Sequence, residues 1–434
     1  MRRNFASLSK LLICGLVVLP LAAIDGAGAA TYTTLHHFKL KNGGLYPAAG
    51  LLVDQSGNLY GTTSEGGNGQ NCGQSGCGVV FKLAPDGSEA ILYSFAGGAD
   101  GSAPETTLIA DQTGNLYGTT TGGGGNGCQF GTGCGTIFKL APDGTETVLH
   151  AFQGKNGDGA FPVGDLLLDE VGNLYGTTVQ GGNIKCGGTG CGTVFVLAPD
   201  GTETALHVFQ GGKDGVGPGA GMIADEAGNL YGVTAQGGGS GCSGAGCGII
   251  FELAPDGTET ILHAFTGGKH DGAVPEGTLI LDSSGNLFGT TIGGGGISPR
   301  RCFGFGCGTI FKLAPNETLT VLYAFDGHDG VAPQGTMIRD QAGNLYGTTY
   351  AGGHGYSGRG LDKACYPNGG CGLIFELAAD GTETTLHKMS GKSGGRTPSP
   401  GLAVDQAGDL YGTTEFGGSK TCFEGCGIVF KISP

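Results

Sequence analysis

"PETTLIADQTGNLYGTTTGGGGNGCQFGTGCGTIFKLAPDGTETVLHAF", residues 104–152, holds one complete copy of a unit that the chain repeats. "TLIAD" is a short apolar run ended by Asp-x-x-Gly turn chemistry, and "NLYGTT" is a second run. A glycine-rich loop follows, then "GTIFKL", the turn "APDGTE" and finally "TVLHAF". No helical period is present, so the unit reads as four short strands joined by turns. The Pro-Asp-Gly turns at 85–87, 142–144, 199–201 and 255–257 suit hairpins. Asp bonds its own backbone there and Gly accepts positive φ.

The phrase GNLYGTT, mildly varied, begins at Gly57, Gly114, Gly172, Gly228, Gly285, Gly343 and Gly408, a period of about 58 residues. A fixed period of this size marks a supersecondary unit that cannot bury its faces alone. Four-stranded antiparallel sheets repeated radially make a β-propeller. The two ends decide against a linear solenoid. "TYTTLHHF" at 31–38 matches an outer strand and precedes any first strand, whereas "GIVFKISP" at 427–434 is a third strand. Pairing them closes a ring and leaves no open edge. The expected fold is all-β: a seven-bladed propeller of four-stranded antiparallel blades, closed by an N-terminal outer strand.

Spacing separates rigid from variable parts. Each GNLY glycine lies ten residues after a proline, at Pro47, Pro104, Pro162, Pro218, Pro275, Pro333 and Pro398. The interval from that glycine to the cysteine before the third strand varies from 18 to 28 residues, so length variation sits in the loop between second and third strands. Loops on a rigid scaffold are where binding residues tend to lie. The loop-rich face of the propeller is the one to search.

Residues 1–29 read as a secretory signal peptide: Arg2, Arg3 and Lys10 precede an apolar run from Leu11 to Ile24, and Ala27-Gly28-Ala29 gives the small-x-small cleavage pattern. Residues 30–434 then form a single propeller domain, expected to be an exported, extracellular or periplasmic monomer. Leaving out three cations and Asp25 with the leader makes the net charge −17 rather than −15. An acidic chain without a basic cluster is a poor partner for nucleic acid. No segment is long and apolar enough to span a bilayer. The 95 glycines would suit disorder, but 38% hydrophobic residues in regular short runs argue for a packed core.

Fourteen cysteines follow the leader, two per repeat: Cys72/Cys77, Cys128/Cys134, Cys186/Cys191, Cys242/Cys247, Cys302/Cys307, Cys365/Cys371 and Cys422/Cys426. An even count in an exported chain points to disulfides, paired within each repeat so that each staples its own glycine-rich loop. Pooled zinc ligands are the weaker reading, because spacing varies and no repeated His stands nearby.

Seven aspartates end the first strands: Asp54, Asp111, Asp169, Asp225, Asp282, Asp340 and Asp405. Turn capping is their first reading, with a Ca²⁺-binding ring second. Asp100, Asp158, Asp214, Asp271 and Asp329 precede glycines between repeats and read the same way. His36, His150, His207, His263 and His387 share one outer-strand position with Tyr93 and Tyr323. A histidine replaceable by tyrosine reads as a packing or hydrogen-bonding feature rather than a metal ligand. No metal site and no catalytic constellation is assigned, since every candidate is repeated.

Residues found once cluster in the later loops: Arg300, Arg301, Phe303 and Phe305 in the fifth, and His354, Tyr356, Arg359, Lys363 and Tyr366 in the sixth, with Phe423 in the seventh. Aromatic and arginine side chains on otherwise bare loops are what binding hot spots use. These are the expected binding residues.

The pattern "LHxFxGGxDGxxPxxxLxxDxxGNLYGTTxxGG…GCGTIFKL" resembles the repeat of the GloVer tandem-repeat proteins, exported bacterial proteins with a choice of anchor, over essentially all of residues 33–434. The resemblance implies an exported repeat protein and supplies no reaction or substrate. The expected function is a non-catalytic scaffold that binds polysaccharide or protein through its loop-rich face. The alternatives are a secreted polysaccharide hydrolase or lyase and a purely structural surface component.

Overall fold

The second repeat shows how a unit folds. Ile109–Ala110, Leu116–Thr120, Thr136–Leu140 and Glu146–Ala151 form one antiparallel sheet in that order. Leu116 faces Leu140, Gly118 faces Phe138 and Thr120 faces Thr136. A β-bulge between Ile137 and Phe138 shifts the pairing with the outer strand, and the other blades carry one at the equivalent place. The third strand is buried on both faces, which suits its nearly continuous apolar run.

The computed structural model describes residues 30–39, 43–69, 71–125, 128, 133–268, 270–295, 302, 306–353, 365, 369–391, 393–419, 421–422 and 424–433. They form an all-β, seven-bladed propeller. In the last blade Thr31–His37 pairs antiparallel with Ile428–Ser433, from Thr31 opposite Ser433 to His37 opposite Ile428. The expected closure by an N-terminal outer strand is therefore present. Blade seven also meets blade one at the inner end: Ser399 Oγ donates to the Pro47 carbonyl at 2.6 Å and Thr413 Oγ1 to the Ala49 carbonyl at 3.0 Å.

Three repeated devices make the wedges fit. The central glycine of GNLYGTT lets the second strand lie against the third-strand Phe; a Cβ on Gly118 would stand 2.7 Å from Phe138 Cζ. The Phe that follows the outer strand in six blades then meets the third-strand Phe of the next blade edge-on, as Phe95 does Phe138 at 5.1 Å between ring centres, and Met389 takes its place in the sixth. Apolar clusters accordingly span neighbours, one joining Phe152 of blade two to Leu166, Leu174 and Phe195 of blade three.

The third device explains the fixed proline. The carbonyl of each second cysteine accepts the N–H of the residue before the next blade's proline, as from Ala103 to Cys77 at 2.9 Å and Val274 to Cys247 at 2.7 Å. That residue has left-handed backbone in all seven blades, including Tyr46 (φ 58°), Phe161 (58°), Val274 (56°) and Thr397 (54°). Such backbone costs a non-glycine residue roughly 1–2 kcal/mol, so the inter-blade bond must hold it.

The cysteines are joined within their own blades, as Cys72–Cys77, Cys128–Cys134, Cys186–Cys191, Cys242–Cys247, Cys302–Cys307, Cys365–Cys371 and Cys422–Cys426. The expected pairing within each repeat is present, and burial adds what the loop is stapled to. The second cysteine of each pair, Cys77, Cys134, Cys191, Cys247, Cys307, Cys371 or Cys426, is at most 1% exposed. Cys134 packs in one cluster with Ile137 and Phe152, and Cys307 with Ile310 and Phe325. Cys371 joins Ile374 and Met389, and Cys426 joins Phe38 and Val429. The cause is the inter-blade bond: its acceptor is that cysteine's own carbonyl, so the residue lies in the boundary and its sulfur serves as a small apolar filler. Each bridge therefore ties a loop to the core, and these seven sulfurs are closed to solvent.

Candidate functional site

The glycine-rich loops and the connections between blades lie together on one face. Gly124 N–H donates to Gly98 O at 2.7 Å, Gly182 N–H to Asp158 O at 2.7 Å and Gly238 N–H to Gly212 O at 2.9 Å. From this face each chain passes its proline and turns down along the ring axis. The residues immediately after the prolines line a narrow axial cavity of about 110 Å³. At roughly 30 Å³ per water, it holds only a few waters and admits no polymer.

Most positions around the axis are small, but three carry carboxyls: Glu105, Asp165 and Glu276, with Gln334 beside them. Asp165 accepts the Thr107 N–H at 2.8 Å, which links blades two and three. Burial pushes its carboxyl up from the usual carboxylate range, and that bond opposes the shift. Glu105 and Glu276 are pushed up by burial. Glu105 is nevertheless exposed to solvent, as befits a side chain enclosed by a channel rather than packed in a core.

Above the axis, blades seven and one add more acid. Glu415 is pushed up to about 7 by burial and by the charge of Glu105, against the pull of Arg396, with Glu424 adding to the rise. Arg396 pairs with Glu424 at 2.8 Å and lies 5.0 Å from the Phe416 ring centre. Phe416 in turn lies 5.5 Å from the Tyr46 ring. The mouth thus offers carboxylate acceptors, one carboxyl that keeps a proton near neutral pH, and two partly exposed aromatic rings. A shallow recess of about 500 Å³ between the loops of blades one and two is lined in part by Glu65, whose charge, after burial, helps push the Tyr46 hydroxyl up.

The loop residues singled out in the sequence, Arg300, Arg301, Phe303, Phe305, His354, Tyr356, Arg359, Lys363, Tyr366 and Phe423, lie outside the described residues. The axial carboxyls were missed. A signal for them exists: the residue after each proline varies as Ala48, Glu105, Val163, Gly219, Glu276, Gln334 and Ser399 within a segment of constant length.

The turn aspartates are engaged by their own turns. Asp111 Oδ1 accepts the N–H groups of Thr113 and Asn115 at 2.9 and 3.0 Å, while Oδ2 accepts Asn115 Nδ2 at 2.6 Å and the Tyr117 hydroxyl at 3.0 Å. This use explains the Asn and Tyr of the repeated phrase. At the rim, the outer-strand His or Tyr reaches the aspartate between blades: Tyr93 donates to Asp100 at 2.6 Å and His150 Nε2 lies 3.2 Å from Asp158.

A family model for the Gloeobacter/Verrucomicrobia repeat matches residues 24–243 and 131–361. The chain belongs to this repeat family. No curated protein matches it. Among solved structures it is similar to a gluconolactonase from Xanthomonas campestris, at 14% identity and TM-score 0.40, over 79% of this chain and 92% of that one. A luciferin-regenerating enzyme matches at 12% identity and TM-score 0.41, over 93% of this chain and 95% of that one. Among the described residues, no helix is long and apolar enough to cross a membrane.

Proposed function

We propose that this repeat protein is an exported, non-catalytic scaffold that binds a neutral or amine-bearing polysaccharide at the axial mouth of its loop-rich face. The observation that carries the reading is the convergence there of polar side chains that the repeat does not dictate: Glu105, Asp165, Glu276, Gln334 and Glu415. Carboxylates accept hydrogen bonds from sugar hydroxyls or ammonium groups, and partly exposed rings such as Tyr46 and Phe416 offer apolar faces. The same acidity, within a chain of net charge −15, disfavours uronate or sulfated polymers. The small cavity accepts one substituent or chain end, and the recess beside Glu65 accommodates flanking sugars. Seven disulfides suit an oxidising location, periplasmic or extracellular.

Binding of neutral glucans, chitosan oligomers and polyuronates to residues 30–434, disulfides intact, tests this. Saturable binding to the first or second class is expected, weakened at least about tenfold in E105Q/E276Q, the loss of one or two charge-assisted hydrogen bonds. Unchanged affinity in that variant would sink the axial site. One observation favours a hydrolase as a second reading: Glu415, held near pH 7 beside a second carboxyl, has the property of a general acid. Release of reducing ends that disappears in E415Q would establish that reading instead.

A further inference from the structure

The outer rim carries a different set of side chains, assembled across blade boundaries. At each boundary three positions meet: the outer-strand His or Tyr of one blade, the aspartate position of the connection, and the residue that begins the next outer strand. Two boundaries have a complete donor set: His150, Asp158 and Glu203 between blades two and three, and His207, Asp214 and Glu259 between blades three and four. In each, one atom from each of the three residues lies within 4.8 Å of the other two. The His Nε2 to Asp Oδ1 distances are 3.2 and 3.3 Å. Ligand atoms at ~2.1 Å from a tetrahedral ion lie ~3.4 Å apart, so modest side-chain adjustment would bring all three onto one metal.

We propose that these two boundaries are divalent transition-metal sites, each holding a zinc-like ion by one imidazole nitrogen and two carboxylates, with water completing the shell. Two features favour an ion over a hydrogen-bonded rim. His207 Nε2 is buried with no hydrogen-bond partner, and Glu203 Oε1 and Glu259 Oε1 are buried without one too, as Glu89 Oε1 and Glu146 Oε1 are at boundaries that lack a full donor set. An ion would engage these atoms. The second feature is the contrast with the other boundaries. Tyr93 and Tyr323 satisfy Asp100 and Asp329 by donating at 2.6 Å, which leaves no nitrogen for a metal. Leu319 takes the place of the Glu beside His263 and Asp271, and Gly43 takes the place of the Asp beside His36 and Glu89. At the remaining boundary His387 is stacked on Tyr32 at 3.7 Å. A nitrogen donor with two carboxylates suits Zn²⁺ or Co²⁺ better than Ca²⁺ or Mg²⁺, which take oxygen. Both sites lie between outer strands of neighbouring blades, away from the axis, and are independent of the polysaccharide reading.

Tyrosine already fills the His position at two boundaries of the same ring, so H150Y and H207Y should fold. Residues 30–434, stripped with chelator and with disulfides intact, are titrated with Zn²⁺ by calorimetry and with Co²⁺ by visible absorption, Ca²⁺ serving as control. Two Zn²⁺ per chain are expected, one in either single variant and none in H150Y/H207Y, with Co²⁺ bands lost in step. Circular dichroism of the variants, matching the parent, excludes misfolding as the cause of loss. No saturable Zn²⁺ binding by the parent, or two sites surviving in the double variant, would overturn the proposal.

Discussion

Gly118 and Gly144 sit in the same blade and need to be glycine for different reasons. Gly144 closes a hairpin turn with φ 87°, and its nearest atom is the Leu92 carbonyl oxygen, 3.9 Å from an added Cβ. A methyl there finds space but forces an L-residue into left-handed backbone, which costs about 1–2 kcal/mol. Gly118 has ordinary backbone and no room: its Cβ would press on Phe138 and, at 3.0 Å, on Leu108. Phe138 is itself held edge-on by Phe95 of the preceding blade, so relief in one direction strains a second blade. Overpacking of this kind costs roughly 1–3 kcal/mol. We expect G118A to lower the urea midpoint more than G144A does, and to lower it further where the neighbour cannot yield. The reverse order would show that backbone strain, not close approach, fixes the repeated phrase.

The element most exposed to this argument is the loop between second and third strands, closed by Cys186 and Cys191 in blade three. In the chain-entropy account, a disulfide around so short a loop contributes about 2 kcal/mol. Replacing both residues by Ala should lower stability by at least that order, because Cys191 is fully buried and its truncation also removes core packing. The inter-blade hydrogen bond should survive, since the Gly217 N–H donates at 2.9 Å to the residue-191 backbone carbonyl. Urea unfolding of C186A/C191A beside the parent measures it, and an unchanged midpoint would mean that the loop is ordered without the bridge. The cysteine pairs, the four strands and the closing strand were legible because each is local or repeats at fixed distance. The burial of Cys134, Cys307, Cys371 and Cys426 was not, because it comes from packing on strands that meet at the blade boundary, the blade's own outer strand included, rather than from the glycines around them. The axial carboxyls were hidden too: Glu105 and Glu276 lie three repeats apart, and only rotation about the axis brings them into one cavity. The rim triads follow suit. His150 and Asp158 were legible as a strand residue and a turn residue, and their meeting with Glu203 belongs to two successive blades. Fixed spacing reveals a scaffold, whereas a site made between copies requires knowing how far each copy turns.

At the scale of the whole ring, stability depends on seven boundaries holding at once, and several of them bury acid. Between blades one and two, Glu146 is pushed up to about 7 by burial and then by the charge of Asp100, and its Oε1 is buried without a hydrogen-bond partner. In the unfolded chain a glutamate titrates near 4.3. Below about pH 4 it is protonated in both states and the boundary keeps its full stability. As pH rises toward 7 the unfolded chain releases this proton while the folded ring retains it, so folding becomes less favourable. The loss is complete once pH passes about 7. Solvent screening at this half-buried rim keeps the change below the ~1.4 kcal/mol per unit of a fully buried group. Other groups act oppositely: His36 is pulled down to about 4 by burial and by neighbouring cations, and it destabilises the ring as it is protonated in acid. The clean observable is therefore the difference between E146Q and the parent. Gln carries no charge at any pH, so the melting temperature of E146Q relative to the parent should rise from pH 5 to pH 8, by a few degrees at most. A difference that stays flat across that window would show that Glu146 is ionised and solvated in the folded ring, and that Tyr93 and Asp100 hold the boundary without it.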